Sequence, residues 1–149
     1  LPLIAAAAVP LFAGAAQACD TPMPKDVKIA APAVSLSADQ ARLLGVWNGA
    51  WESGKSHICA ALAVMDIDPN GNAKLLYAYP AYTLLRDIST RPVNVKASVK
   101  EYTGRFDNIE LTFVSDSGAT DSFNFYDGKL AGTSASPRYG TIYGMFNKQ

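Results

Sequence analysis

The side chains best equipped for covalent chemistry in this chain are two cysteines and a single histidine. His57 and Cys59 stand two residues apart, and Cys19 is the only other thiol. A thiol nucleophile needs a base within hydrogen-bond reach and a third group to orient that base. Positions i and i+2 on a strand share a side but stand about 7 Å apart at the backbone, so the pair reads as an exposed histidine beside a structural cysteine. One histidine and two cysteines without ligand spacing do not make a metal site. Asp66, Asp68, Asn70 and Gly71 approach the spacing of a calcium loop, but Pro69 interrupts and no glutamate follows at the twelfth position, which leaves a hairpin turn. With no convergent acid, base and nucleophile, no enzymatic activity, metal or cofactor is expected.

In an oxidising compartment Cys19 and Cys59 can pair, closing a loop of about forty residues worth ~3–4 kcal/mol. Two alternatives stay open: unpaired thiols with Cys59 buried as a small hydrophobe, or a lipid on Cys19.

The aromatic residues point to binding. Gly45, Trp47, Gly49 and Trp51 fall on one face of a strand, each indole beside a glycine that leaves it room, and these positions are read as structural floor. Tyr77 and Tyr79 share a face with Leu75, and Phe123 shares one with Phe125. A barrel interior that gathers Trp51, Tyr77, Tyr79, Phe123 and Phe125 would hold a small hydrophobic or aromatic molecule through ring faces and a few hydroxyls. The same side chains would also suffice to fill a small barrel, because eight strands enclose little more than their own side chains. Trp47 is expected as a plug at the closed end and Trp51, further along the same face, as the residue that meets a ligand.

These side chains need a scaffold of strands. Ser37-Ala38-Asp39-Gln40 is a capping box that starts a short helix, and Gly45 ends it and turns the chain into the first strand. The second strand, about Ser56 to Asp68, is apolar on both faces, so its outer face should lie under the N-terminal segment or against another chain. Asn70-Gly71 turns it into a third strand from Ala73 to Tyr79. Pro80 to Arg91 reads as a weak strand or a rim loop. Val93, Val95, Ala97 and Val99 alternate with polar residues as one half-buried strand, and Ile109, Leu111 and Phe113 do the same. Strands at Phe123–Phe125, Lys129–Ala135 and Tyr139–Lys148 complete the series. The predicted fold is all-β: an eight- to nine-stranded antiparallel up-and-down barrel with one short N-terminal helix.

Thirteen basic and thirteen acidic residues among 149 cancel, which leaves no electrostatic footprint for nucleic acid or an anionic membrane. Arg86, Arg91, Lys96, Lys100 and Arg105 are interleaved with Asp87 and Glu101 and read as a solvated face. Leu1 to Ala18 is uncharged, rich in alanine, too short to span a membrane, and ends in Ala16-Gln17-Ala18, the form of a signal peptide. The expected organisation is a leader over 1–18, an extended tether over 19–36 and the barrel over 37–149. The protein is then periplasmic or secreted. Lipid anchoring through Cys19 is disfavoured because the large aliphatic residue expected three positions before it is absent.

A capped helix followed by Gly45-Val46-Trp47 and a meander of strands resembles the calycin superfamily, the lipocalins and avidins, over about Ser37 to Gln149. The resemblance implies that Trp47 closes the narrow barrel end under a cation from the last strand, where Lys148 stands in place of the usual arginine. The chain is also similar to small secreted bacterial proteins with a Gly-x-Trp-x-Gly start and a late Asp-Gly-x-Leu-x-Gly, here Asp127 to Gly132. For those the resemblance supplies a fold without an activity. The functional expectation is an exported barrel that binds a small hydrophobic ligand. The alternative is a barrel that acts on a protein partner or as a homodimer, such as a periplasmic inhibitor of a cell-wall hydrolase. That alternative draws on Ser134 to Tyr139, which resembles the serine-rich loop of bacterial lysozyme-inhibitor barrels but lacks its glycine.

Overall fold

The computed structural model describes residues 19–54, 56–84 and 92–149. The expected leader, and residues 85–91 of the weak strand or rim loop expected over Pro80 to Arg91, lie outside the described residues. Helix α1 (Ala38–Leu43) begins as the capping box requires: the Gln40 amide donates to Ser37 Oγ at 3.1 Å, and the Ser37 amide donates to Gln40 Oε1 at 2.8 Å.

The strands are β1 (Gly45–Ser53), β2 (Ser56–Ile67), β3 (Asn72–Tyr79), β4 (Tyr82–Leu84), β5 (Val93–Val95), β6 (Ser98–Asp107), β7 (Glu110–Val114), β8 (Thr120–Tyr126), β9 (Lys129–Ser136) and β10 (Gly140–Lys148). Eight of them close into an antiparallel barrel in the order β1-β10-β9-β8-β7-β6-β3-β2, so each wall strand lies beside its neighbours in sequence. Pairing of β1 with β10, from Trp47 opposite Lys148 to Glu52 opposite Tyr143, seals the wall and leaves no free edge in it. Strands β4 and β5 pair only with each other, as a two-stranded arm between β3 and β6. The all-β, up-and-down barrel expected from the sequence is therefore present, with eight wall strands.

One phase differs from expectation. Residues 93–99 do not form one half-buried strand: Val93–Val95 belongs to the arm, and β6 starts at Ser98 with Val99 facing outward, half exposed. The inward residues of β6 are Tyr102, Gly104 and Phe106. Its phase is held by Gly104, where a Cβ would come within 2.7 Å of the Leu75 side chain. A glycine carries no hydropathy signal, so the valine alternation before it set the wrong face.

The outer face of β2 is covered by the chain's own N-terminal segment. Cys19 and Cys59 form a disulfide. Further along, the Thr21 amide donates to Asn48 Oδ1 and Asn48 Nδ2 donates to the Thr21 carbonyl, each at 3.1 Å. The Ala30 amide donates to the Met65 carbonyl at 2.7 Å. Ala61 and Ala63, on the outward side of β2, are fully buried as a result. The doubly apolar strand thus needs no second chain to cover it. A cysteine sulfur held in a disulfide is also not available for a lipid thioether.

Candidate functional site

The two ends of the barrel are built differently. At the α1 end, Trp47 is buried and its Nε1 donates to the Leu43 carbonyl at 2.8 Å. Phe125 meets it edge-on with centroids 6.2 Å apart, and the Arg42 guanidinium carbon lies 3.8 Å over the Phe125 ring. Lys148 Nζ stands 5.3 Å from the Trp47 ring and donates to the Arg42 carbonyl at 2.8 Å. Every polar group named here has a partner from the chain itself, and the end is shut.

Above this plug lies an apolar floor. Phe123 is fully buried between Trp51, Phe146 and Phe113, with centroids at 5.6, 5.3 and 6.1 Å. The room that the Trp51 indole needs comes from strands other than its own. A Cβ on Gly132 of β9 would meet the Trp51 ring at 2.8 Å, and one on Gly144 of β10 would meet it at 2.9 Å. Gly49 serves a different contact, since its Cβ would strike the Met145 carbonyl oxygen of β10 at 2.1 Å.

Over the floor the barrel opens into a cavity of about 790 Å³. Trp51, Tyr77 and Asp121 form its base, Ile58, Tyr79, Tyr102 and Ile142 line the wall, and Tyr82, Val93 and Val95 of the arm reach over the mouth. Of the residues expected to meet a ligand, Trp51, Tyr77 and Tyr79 border this space, Phe123 lies in the floor, and Phe125 belongs to the closed end.

The polar groups at the base are buried. Trp51 Nε1 donates to the Tyr77 hydroxyl oxygen at 2.7 Å, which fixes the phenol as acceptor and leaves its own O–H to donate. Burial, and then the negative charge of Asp121, push the Tyr77 pKa far above its usual value, so this O–H keeps its proton. Asp121 follows from the alternation of β8: it shares the inward face with Phe123 and sits opposite Phe113 on β7 and Ser134 on β9. Its side chain is 3 % exposed, and Oδ1 has no hydrogen-bond partner. Burial raises its pKa to about 6, with the Ser134 hydroxyl acting the other way. At neutral pH the base of the cavity therefore carries a mostly ionised, incompletely partnered carboxylate. Sequence reasoning missed Asp121, although two steps back from Phe123 and Phe125 on the same alternation would have reached it.

No family model and no curated protein matches this chain. Its site must be read from its own geometry.

The thiol and imidazole chemistry resolves on the outer wall. His57 Nε2 lies 3.3 Å from Cys19 Sγ, and His57 Nδ1 lies 2.5 Å from Glu52 Oε1. The ligand atoms of Cys19, His57 and Cys59 fall within 4.8 Å of one another, but both sulfurs are committed to the disulfide. The acidic turn after β2 is held by its own bonds: Asn72 donates through its amide and its Nδ2 to the two oxygens of Asp68, at 2.9 and 2.8 Å, which keeps the Asp68 carboxyl below its usual range. Among the described residues no helix is long and apolar enough to cross a membrane.

Proposed function

We propose that this is an exported, calycin-like barrel that binds a small hydrophobic or aromatic molecule in its open end. The observation that carries the reading is the cavity of about 790 Å³ above an intact aromatic floor, ringed by Trp51, Tyr77, Tyr79 and Tyr102. That volume is within the range of small-molecule sites, and mostly apolar walls with a few polar groups are the usual composition of such sites. The position of Lys148 against Trp47 supports the calycin-like assignment, because a last-strand cation over this tryptophan is what that resemblance implies. The disulfide suits an oxidising compartment, as export would provide.

The loop that suggested a protein-interaction role turns toward the same cavity. Ser136 Oγ accepts from the Arg138 and Tyr139 amides at 3.2 and 3.3 Å, and Ser134, Ser136 and Arg138 line the cavity. This arrangement supports assigning the loop to the ligand site.

The test is native mass spectrometry of freshly purified, disulfide-intact protein, together with a fluorescence titration using N-phenyl-1-naphthylamine. A stoichiometric small-molecule adduct or saturable one-to-one probe binding is expected. Absence of both, or a crystal structure with the space above Phe123 filled by side chains, would overturn the reading.

A further inference from the structure

We infer that the cavity selects a small organic cation, a protonated amine on an aromatic or alkyl body, with its ammonium seated on Asp121. The inference rests on the ligand-binding reading above and names the class of ligand.

Three features of the cavity base converge on this class. The first is an unmet negative charge. Asp121 Oδ1 is buried without a partner, and among the described residues no lysine or arginine forms an ion pair with this carboxylate. A buried, unpaired carboxylate is costly, and a cation that completes it recovers much of that penalty. The second is the company of ring faces. Trp51, Tyr77, Tyr79 and Tyr102 border the same space, and aromatic faces attract an ammonium while they also pack a flat hydrophobic body. The third is polarity of the wrong sign for an anion. A carboxylate or phosphate at the base would meet Asp121 at close range in a desolvated site, whereas a neutral ligand would leave the Asp121 charge unanswered.

The other candidates for the cation are weaker. One buried carboxylate and a phenol do not supply the oxygen ligands that calcium or magnesium takes. Asp116, the second carboxylate on the cavity, stands at the mouth and is engaged by Lys100 Nζ at 2.5 Å. Among the described residues that line the cavity, the buried anionic group is therefore Asp121.

The groups that face Asp121 determine how binding responds to pH. Tyr77 and Ser134 act on Asp121 directly, and the other titratable groups on the same cavity are Tyr79 on β3, Tyr102 on β6, Tyr82 on the arm, and Asp116, Arg138 and Tyr139. Tyr77, Tyr82 and Tyr102 are all raised above the usual phenol range, chiefly by burial, and do not titrate near neutrality. Asp121, at about 6, does. An amine that stays protonated throughout should therefore lose affinity as pH falls below about 6, approaching tenfold per unit, because protonation of Asp121 competes with the ammonium.

The experiment is calorimetric titration of the disulfide-intact protein at pH 7.5 with three probes of one shape: 2-phenylethylamine, 2-phenylethanol and 3-phenylpropionate. The amine should bind at least about tenfold tighter than the alcohol, as expected of a charge-assisted hydrogen bond, and the propionate weakest. Asp121→Asn, which keeps size and shape, should erase the preference for the amine over the alcohol. A wild-type titration from pH 7.5 to 5 reads the same carboxylate without any substitution. Equal binding of amine and alcohol, with no dependence on pH or on Asp121, would overturn the cation inference while leaving a hydrophobic binding site in place. Failure of all three probes and of N-phenyl-1-naphthylamine would overturn both.

Discussion

Trp47 and Trp51 lie four residues apart on the same face of β1, both are buried, and both donate through the indole nitrogen, yet they serve opposite ends of the barrel. Trp47 gives its N–H to a backbone carbonyl of α1, with the Lys148 ammonium over its own ring and the Arg42 guanidinium over the neighbouring Phe125. Trp51 gives its N–H to the Tyr77 hydroxyl, and Asp121, whose charge acts on that phenol, has a buried Oδ1 without a partner. At one end the Trp47 indole and the Lys148 ammonium find partners in the chain itself. At the other, among the described residues, Asp121 Oδ1 has none, beside an open volume. The difference separates a structural use of aromatic and charged residues from the binding use proposed above, within a single strand.

Truncating each indole tests the contrast most strongly. Trp47→Ala should lower stability by about 3–5 kcal/mol in urea unfolding, since it hollows a sealed end, while the folded fraction keeps its affinity for ligand. Trp51→Ala opens space that joins the cavity, so it should cost less stability and abolish probe binding. If both variants behave alike, the two ends are not functionally distinct.

The strap over β1 and β2 belongs to neither end, and its loss sharpens the comparison by leaving both intact. Replacing Cys19 and Cys59 together with serine removes a cross-link between residues 40 apart in sequence. Stability should fall by about 3–4 kcal/mol, and the binding stoichiometry of the folded protein should not change.

Asp121 distinguishes the ends through pH. Its folded pKa is raised from 3.8 to about 6, so between those values the folded protein binds more protons than the unfolded chain. Its contribution to stability is therefore most favourable below about 3.8 and declines as pH rises through 6. Relative to Asp121→Asn, wild-type protein should lose about 2–3 kcal/mol between pH 4 and 7, read from paired denaturation curves. A constant difference across that range would contradict a buried, unmet carboxylate. The smallest effect is expected at the closed end: Lys148→Ala removes a partly exposed cation over Trp47 and one carbonyl partner, for about 0.5–1 kcal/mol, with no change in binding.

Much of the barrel was legible because alternation and turn chemistry agree along most of the chain. Ser37 and Gln40 announced the helix, Asn70-Gly71 the second hairpin, and the doubly apolar run from Ile58 to Val64 the cover over β2. The placement of Trp47 at the α1 end and of Trp51 beside the cavity also followed from their order along one strand. The phase of β6 did not, because Gly104 fixes it by letting Leu75 close in, and a missing side chain leaves no mark on hydropathy. The glycines that make room for Trp51, Gly132 and Gly144, are neighbours only once β9 and β10 are in register with β1. Phe123 and Phe125 share a face, but the barrel places them at different depths, floor and plug, which alternation along one strand does not resolve. Asp121 was hidden for another reason: an acidic residue near the turn at Asp116-Ser117-Gly118 reads as solvated until the barrel closes around it.

The most direct measurement follows the two indole N–H resonances of ¹⁵N-labelled protein during titration with 2-phenylethylamine or 2-phenylethanol, with assignments from the Trp→Phe variants. The Trp51 signal should move saturably, because its acceptor, Tyr77, borders the cavity, while the Trp47 signal stays in place. Equal movement of both signals, or none in either, would contradict a barrel that is sealed at one end and built to receive a ligand at the other.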